Sequence, residues 1–221
     1  MNARDEILSR LQTQKRATSL PTPWQSRRNF DDPAGRFSES LAKVKGQVLR
    51  AGTMEDALSQ VGELFTEFNT HYVVYNDEAP INEVDWNGRF PEIQFHSPSQ
   101  MHRLPKSPKI SEVSQTWREI CAAADVGISS ADAFLAETGS LIISSGAGKS
   151  RMVTLLPPVH IALVPMARLA TDIFAWMKNH DRKFPANTVL VSGPSKTADI
   201  EQTMSVGVHG PKKLVVVLVG E

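Results

Sequence analysis

The feature that most constrains this chain is a series of short apolar runs in its second half. Residues 140–144 (SLIIS), 160–164 (HIALV), 188–192 (TVLVS) and 214–219 (LVVVLV) are rich in Val, Ile and Leu and shorter than ordinary helices. Near-continuous β-branched runs of this length suit strands buried on both faces of a sheet. Helical patterns at 169–179 and 198–204 lie between the later runs. Strand, helix, strand, helix, strand predicts βαβ units, hence an α/β fold with a mainly parallel sheet flanked by helices. Ligands in open sheets of this class bind outside the carboxyl ends of the strands, so the loops after Ser144, Val164 and Val191 are the first places to seek a site.

The first half is more helical. Residues 2–14 place Ile7, Leu8 and Leu11 on one stripe before Pro21, Pro23, Asp32 and Pro33 interrupt regular structure. A lone short helix is marginal in water, so this arm is expected to pack on its own domain in preference to a neighbouring subunit. Phe37, Leu41, Val44 and Val48 predict a helix over 37–49, and a capping-box-like start at Thr53 to Asp56 opens a second over 53–68. Residues 71–75 read as the first strand and 92–95 as another. Pro98, Pro105 and Pro108 then mark an irregular crossing before a helix around 113–123. With 221 residues, the chain suits a helical arm and loop over 1–35 and a single α/β domain over 36–221.

Charge and cysteine content exclude several function classes. Lys plus Arg equals Asp plus Glu at 24 each, so no global positive field exists to hold nucleic acid or an anionic membrane, and any anion site must be local. Residues 1–16 lack an apolar stretch of signal-peptide length and no window approaches the roughly 18 apolar residues of a spanning helix, so a cytoplasmic location is expected. Cys121 is the single cysteine and cannot by itself form an internal disulfide, an iron–sulfur ligand set or a thiolate zinc site. His71, His96, His102 and His180 show no ligand spacing, and no HExxH or CxxC pattern is present. Neither a metal nor a cofactor is expected.

Four motifs carry polar chemistry. SSGAGKSR at 144–151 fails the Walker A pattern, which needs Gly where Ile143 stands, and fails the dinucleotide pattern at Arg151; it reads as a glycine-rich turn beside a strand. SGPSKTADIE at 192–201 reads as a strand–loop–helix junction. Its Gly193 permits close backbone approach, Ser195 and Thr197 offer hydroxyls, and Lys196 adds charge near exposed helix-start N–H groups. The bland alternative is a capped helix whose Asp199 and Glu201 complement the dipole. VGVHGP at 206–211 presents His209 between Gly207 and Gly210, suited either to proton transfer or to hydrogen bonding its own loop. Glu137, Thr138 and Gly139 lead into the strand at 140–144, as pocket lining or as plain turn chemistry, and His160 at a strand start reads as locally satisfied.

AETGSLIIS, LLPPVHIALVP and SGPSKTADIEQTMSVGVHGPKKLVVVLV together resemble the LUD domain of the lactate utilization protein C family. The resemblance covers residues 127–219 strongly. It implies a fold similar to the sugar isomerase, CoA-transferase and formyltetrahydrofolate cyclo-ligase group, and iron–sulfur partner proteins in a system oxidising L-lactate to pyruvate. Its motif positions here are Glu137, Thr138, Gly139, His160, Ser192, Gly193, Ser195, Lys196, Thr197, Asp199, Glu201, Gly207, His209, Gly210 and Pro211. Lys196 stands where relatives often carry Arg, which keeps the charge and loses the planar fork. The function implied is a non-redox component that binds a small anionic ligand. The alternatives are a stand-alone isomerase or acyl-transferase, with His209, Asp199 or Glu137 as acid or base and Lys196 steering the substrate, and a regulatory module that senses a small carboxylate or phosphate.

Overall fold

The computed structural model describes residues 3–13, 24–101, 110–179, 185–198, 204–206 and 210–220. The N-terminal helix α1 (Ala3–Thr13) is followed by α2 (Pro33–Lys43), β1 (Gln47–Ala51), α3 (Met54–Glu67) and β2 (Tyr72–Tyr75). Next come α4 (Trp86–Arg89), β3 (Gln94–His96), α5 (Pro98–Met101), α6 (Ile110–Ala123) and β4 (Val126–Ser129). The third quarter holds β5 (Ala133–Leu135), β6 (Ser140–Ser144), α7 (Arg151–Leu155), β7 (Val159–Pro165), β8 (Leu169–Ala170) and α8 (Ile173–Asn179). The remainder is β9 (Thr188–Val191), β10 (Lys196–Ala198), β11 (Met204–Val206) and β12 (Lys213–Val219).

Among the described residues, six strands form a wholly parallel sheet in the order β1-β12-β7-β4-β2-β3. Strand geometry explains why its central strands are apolar at nearly every position. Successive side chains of β7 and β12 point to opposite faces, and both faces are covered. On one face Ile161, Leu163, Val215 and Val217 pack with Ala57, Val61, Leu64 and Phe65 of α3. On the other, Ala162, Val164, Leu214, Val216 and Leu218 pack with Phe37 and Leu41 of α2 and with Phe134, Leu141 and Ile143. Those last three belong to a second sheet, β8-β5-β6-β9, in which β6 runs antiparallel to both neighbours. The α3 start is a capping box, with Thr53 Oγ1 accepting from the Asp56 N–H (3.1 Å) and Asp56 Oδ2 accepting from the Thr53 N–H (3.0 Å).

Several expectations from the sequence need correction. The helix read over 37–49 ends at Lys43, because Lys45 takes a left-handed φ of 69° and the Gly46 N–H turns back to Leu41 O (3.0 Å), so Val48 and Leu49 enter β1 instead. Residues 71–75 are thus the second strand. The apolar runs at 140–144 and 188–192 lie in the second sheet and not in the parallel one. Within 169–179, Leu169 and Ala170 pair with β5, and the helix starts after Asp172, whose Oδ1 accepts from the Ala175 N–H (2.8 Å). The helix read over 198–204 is absent where it is described: Lys196–Ala198 and Met204–Val206 pair antiparallel. The α1 stripe does not pack on its own domain, since Ile7 and Leu11 are 59% and 58% exposed. No described helix is long and apolar enough to cross a membrane.

Gly127 shows how tightly α7 is set on the sheet. A Cβ there would lie 1.9 Å from the Val153 carbonyl oxygen, a backbone atom that cannot step aside. Gly127→Ala is expected to cost about 1–3 kcal/mol and several degrees of Tm. Gly52→Ala, whose Cβ would meet nothing nearer than Asp56 Oδ2 at 3.7 Å, should be close to neutral in the same thermal melts.

Candidate functional site

The parallel sheet has one topological switch. The chain leaving β2 next enters the sheet at β3 on one side, and the chain leaving β4 next enters it at β7 on the other. A crevice therefore opens above the carboxyl ends of β2 and β4. It holds a cavity of about 440 Å³ lined by Asp77, Glu78, Ala79, Asn82, Asp132, Lys149 and Arg168. That volume is in the range of small-molecule sites.

The loop between β6 and α7 is fastened to the loop after β2. The Asp77 N–H donates to Gly148 O (2.9 Å) and the Ser150 N–H to Asn76 Oδ1 (2.9 Å). Gly148 has φ 71°, and a Cβ there would lie 3.0 Å from both the Cβ and the carbonyl oxygen of Asp77, so the approach requires glycine. The contact carries Lys149 into the cavity, where Nζ lies 3.0 Å from Glu78 Oε2 and 2.9 Å from Asp132 Oδ1. Glu78 is buried and its Oε1 accepts the Ser130 N–H (2.9 Å). Burial pushes the Asp132 carboxyl up, but hydrogen bonds from Ser144 and Lys149, with the Lys149 charge, outweigh it and hold it below the ordinary value. Burial likewise disfavours charged Lys149, and the two carboxylates overcome it, leaving the ammonium above its ordinary value.

Arg168 reaches the same cavity from the turn after β7. Its Nη1 donates to Ser130 Oγ (2.8 Å) and Ala131 O (2.7 Å), and its Nη2 to Ala79 O (3.0 Å). All three acceptors are neutral. The guanidinium is held in place without being neutralised, since no described carboxylate lies within ion-pair distance of it.

The described residues among those singled out from the sequence lie elsewhere. Thr138 Oγ1, Ser140 Oγ and Ser192 Oγ form a hydroxyl chain (2.7 and 2.6 Å). It sits near the turn from α2 into β1, where Gly139 approaches the Leu41 backbone and Gly193 the Val44 side chain. Glu137 is ion-paired with Arg28. The Ser195 N–H donates to Pro211 O (2.8 Å) beside Gly210, which brings the two motif loops together. Lys196 and Thr197 begin a strand and not a helix, so no described helix start offers N–H groups to an anion there. His209, Asp199, Glu201 and Gly207 lie outside the described residues. Among the described residues no group of three His, Cys, Asp or Glu side chains is placed to hold a metal.

His160 and Cys121 are core groups. Burial pushes the Cys121 thiol up to about 12, which makes it a poor nucleophile at neutral pH. The hydroxyl hydrogen of Ser129 goes to Ser130 O (2.9 Å), so His160 Nε2 donates to Ser129 Oγ (2.8 Å), and His160 Nδ1 is left buried without a partner.

The LUD domain profile matches residues 34–219. The chain belongs to the LUD domain family. "Lactate utilization protein C 1" of Bacillus mycoides (strain KBAB4) is 29% identical over 197 residues, covering 86% of this chain and 80% of that one. "Lactate utilization protein C" of Halalkalibacterium halodurans is 39% identical over 154 residues, 66% of each chain. The match to "Lactate utilization protein C" of Macrococcus caseolyticus is 37% over 110 residues and spans about half of each chain, 47%. The crystal structure of a "duf162 family protein" from Deinococcus radiodurans shares the fold, with a TM-score of 0.57 at 16% identity over 85% of this chain and 96% of that one.

In this LUD domain burial lowers the His160 pKa to about 4, against an ordinary value of 6.5. The unfolded chain takes up a proton that the folded one refuses, so this contribution is complete above about pH 6.5 and is lost as pH falls towards 4. Between pH 7 and 4.5 it amounts to about 2 kcal/mol. Urea unfolding of His160→Gln is expected to lose that much less stability than the parent chain over the same interval; parallel losses would contradict the assignment.

Proposed function

We propose that this LUD-domain protein is the non-redox component of an L-lactate-oxidising system, acts beside iron–sulfur partner proteins, and holds a small anionic ligand. The observation that carries the reading is the family match over 34–219, together with relatives named lactate utilization protein C. The single cysteine, buried as Cys121, supports placing the electron-carrying cluster in a partner. Arg168, positioned but not neutralised, supports an anionic ligand at the crevice. The crevice is preferred over the loops around Ser192 to Ser195 and Gly210, because the helix start that would have drawn an anion to Lys196 and Thr197 is a strand. A second reading, an enzyme working alone, draws on the Glu78–Lys149–Asp132 cluster, which has the groups needed for acid–base chemistry. Turnover by the purified chain without partners would favour it.

Deleting the gene, in a strain lacking any other lactate dehydrogenase, is expected to abolish growth on L-lactate and leave growth on glucose unchanged. Restoring the gene should restore growth. Normal growth on L-lactate without it would contradict the proposal.

A further inference from the structure

We propose that the crevice cavity binds a 2-hydroxy carboxylate, with the acid group on Arg168 and the hydroxyl between Lys149 and Asp132. This deepens the reading above and rests on it.

The lining selects for two opposite properties in one molecule. Three of the five Arg168 N–H groups are spent on neutral oxygens, which fixes the guanidinium without neutralising it and leaves the Nε–H and one Nη2–H to meet a carboxylate. Glu78 and Asp132 offer only acceptors when ionised, so the remainder of the ligand must donate. The donor cannot readily be an ammonium, because the Lys149 ammonium already lies between those two carboxylates, 3.0 and 2.9 Å from them. A second cation would face like charge at short range. A hydroxyl meets both neighbours at once: its oxygen accepts the remaining Lys149 N–H and its hydrogen goes to Asp132. A keto group in the same place can accept from Lys149 but brings no hydrogen for Asp132 Oδ2, which is buried without a partner. Hydrogen bonds to charged groups are worth enough that losing one should weaken binding about tenfold.

The test is calorimetric titration of the full chain at pH 7 with L-lactate, pyruvate and L-alanine. L-Lactate is expected to bind about tenfold or more tighter than either of the others. Arg168→Gln should weaken L-lactate and pyruvate alike by about tenfold or more. Asp132→Asn should bring the lactate-to-pyruvate ratio towards one. If Arg168→Gln fails to fold, Asp132→Asn, which keeps the side-chain shape, decides the matter through that ratio. Equal binding of pyruvate or L-alanine, lactate binding that survives Arg168→Gln, or no lactate binding at all would overturn the proposal. So would a loss of binding confined to Lys196→Ala and His209→Ala, which would move the ligand to the other loops. The growth phenotype of the deletion strain reads the broader function separately, so either can fail without the other.

Discussion

Two-sided burial of β7 and β12 is the constraint on which the rest of the structure depends. Both strands carry apolar side chains to both faces of the sheet, and neither face can be left to water. One face is closed by α3. The other is covered by Phe37 and Leu41 of α2 together with Phe134, Leu141 and Ile143 of the second sheet. The chain therefore leaves the parallel sheet after β4, builds β5 and β6 over that face, and returns as α7 and β7. This excursion makes the site. It carries Asp132 and Lys149 out over the carboxyl ends and back, with Gly148 held against Asp77.

The charges at the crevice follow from the same placement. Two acidic side chains, Glu78 and Asp132, are drawn from loops beyond different strands and share one cation, Lys149. Taking such groups from water is costly unless each is paired and hydrogen-bonded. Here Glu78 also receives the Ser130 N–H, and Lys149 reaches both acids. Arg168 is organised on a different principle, by neutral oxygens alone, which leaves its charge without a carboxylate partner among the described residues.

How far this was legible in the sequence depends on the range of the interactions involved. The runs at β7 and β12 are readable because strands buried on both faces are apolar at nearly every step. The loops after Ser144 and Val164 were also identified, and they deliver Lys149 and Arg168. The loop after Val191 does not reach the crevice, because β9 pairs with β6 in the second sheet, a long-range choice that no local pattern encodes. Glu78 and Asp132 were missed as site residues for the same reason: each is an ordinary loop acid until Lys149 is brought between them from another strand. The spacing of 198–204 suits a helix, yet its two described ends lie in the strands Lys196–Ala198 and Met204–Val206, which pair with each other. Val48 keeps helical spacing with Phe37, Leu41 and Val44, and the turn at Lys45 and Gly46 overrides it.

The family match covers nearly the whole of this fold, from α2 through β12, so the crevice lies within the LUD domain. The central claim is that this crevice, and not the Thr138–Ser140–Ser192 side of the molecule, is what the protein uses. Complementation of the deletion strain tests it most directly. A gene encoding Asp132→Asn, expressed at the parent level and melting near the parent Tm, is predicted to give clearly slower growth on L-lactate than the parent gene. Growth at the parent rate would contradict the claim.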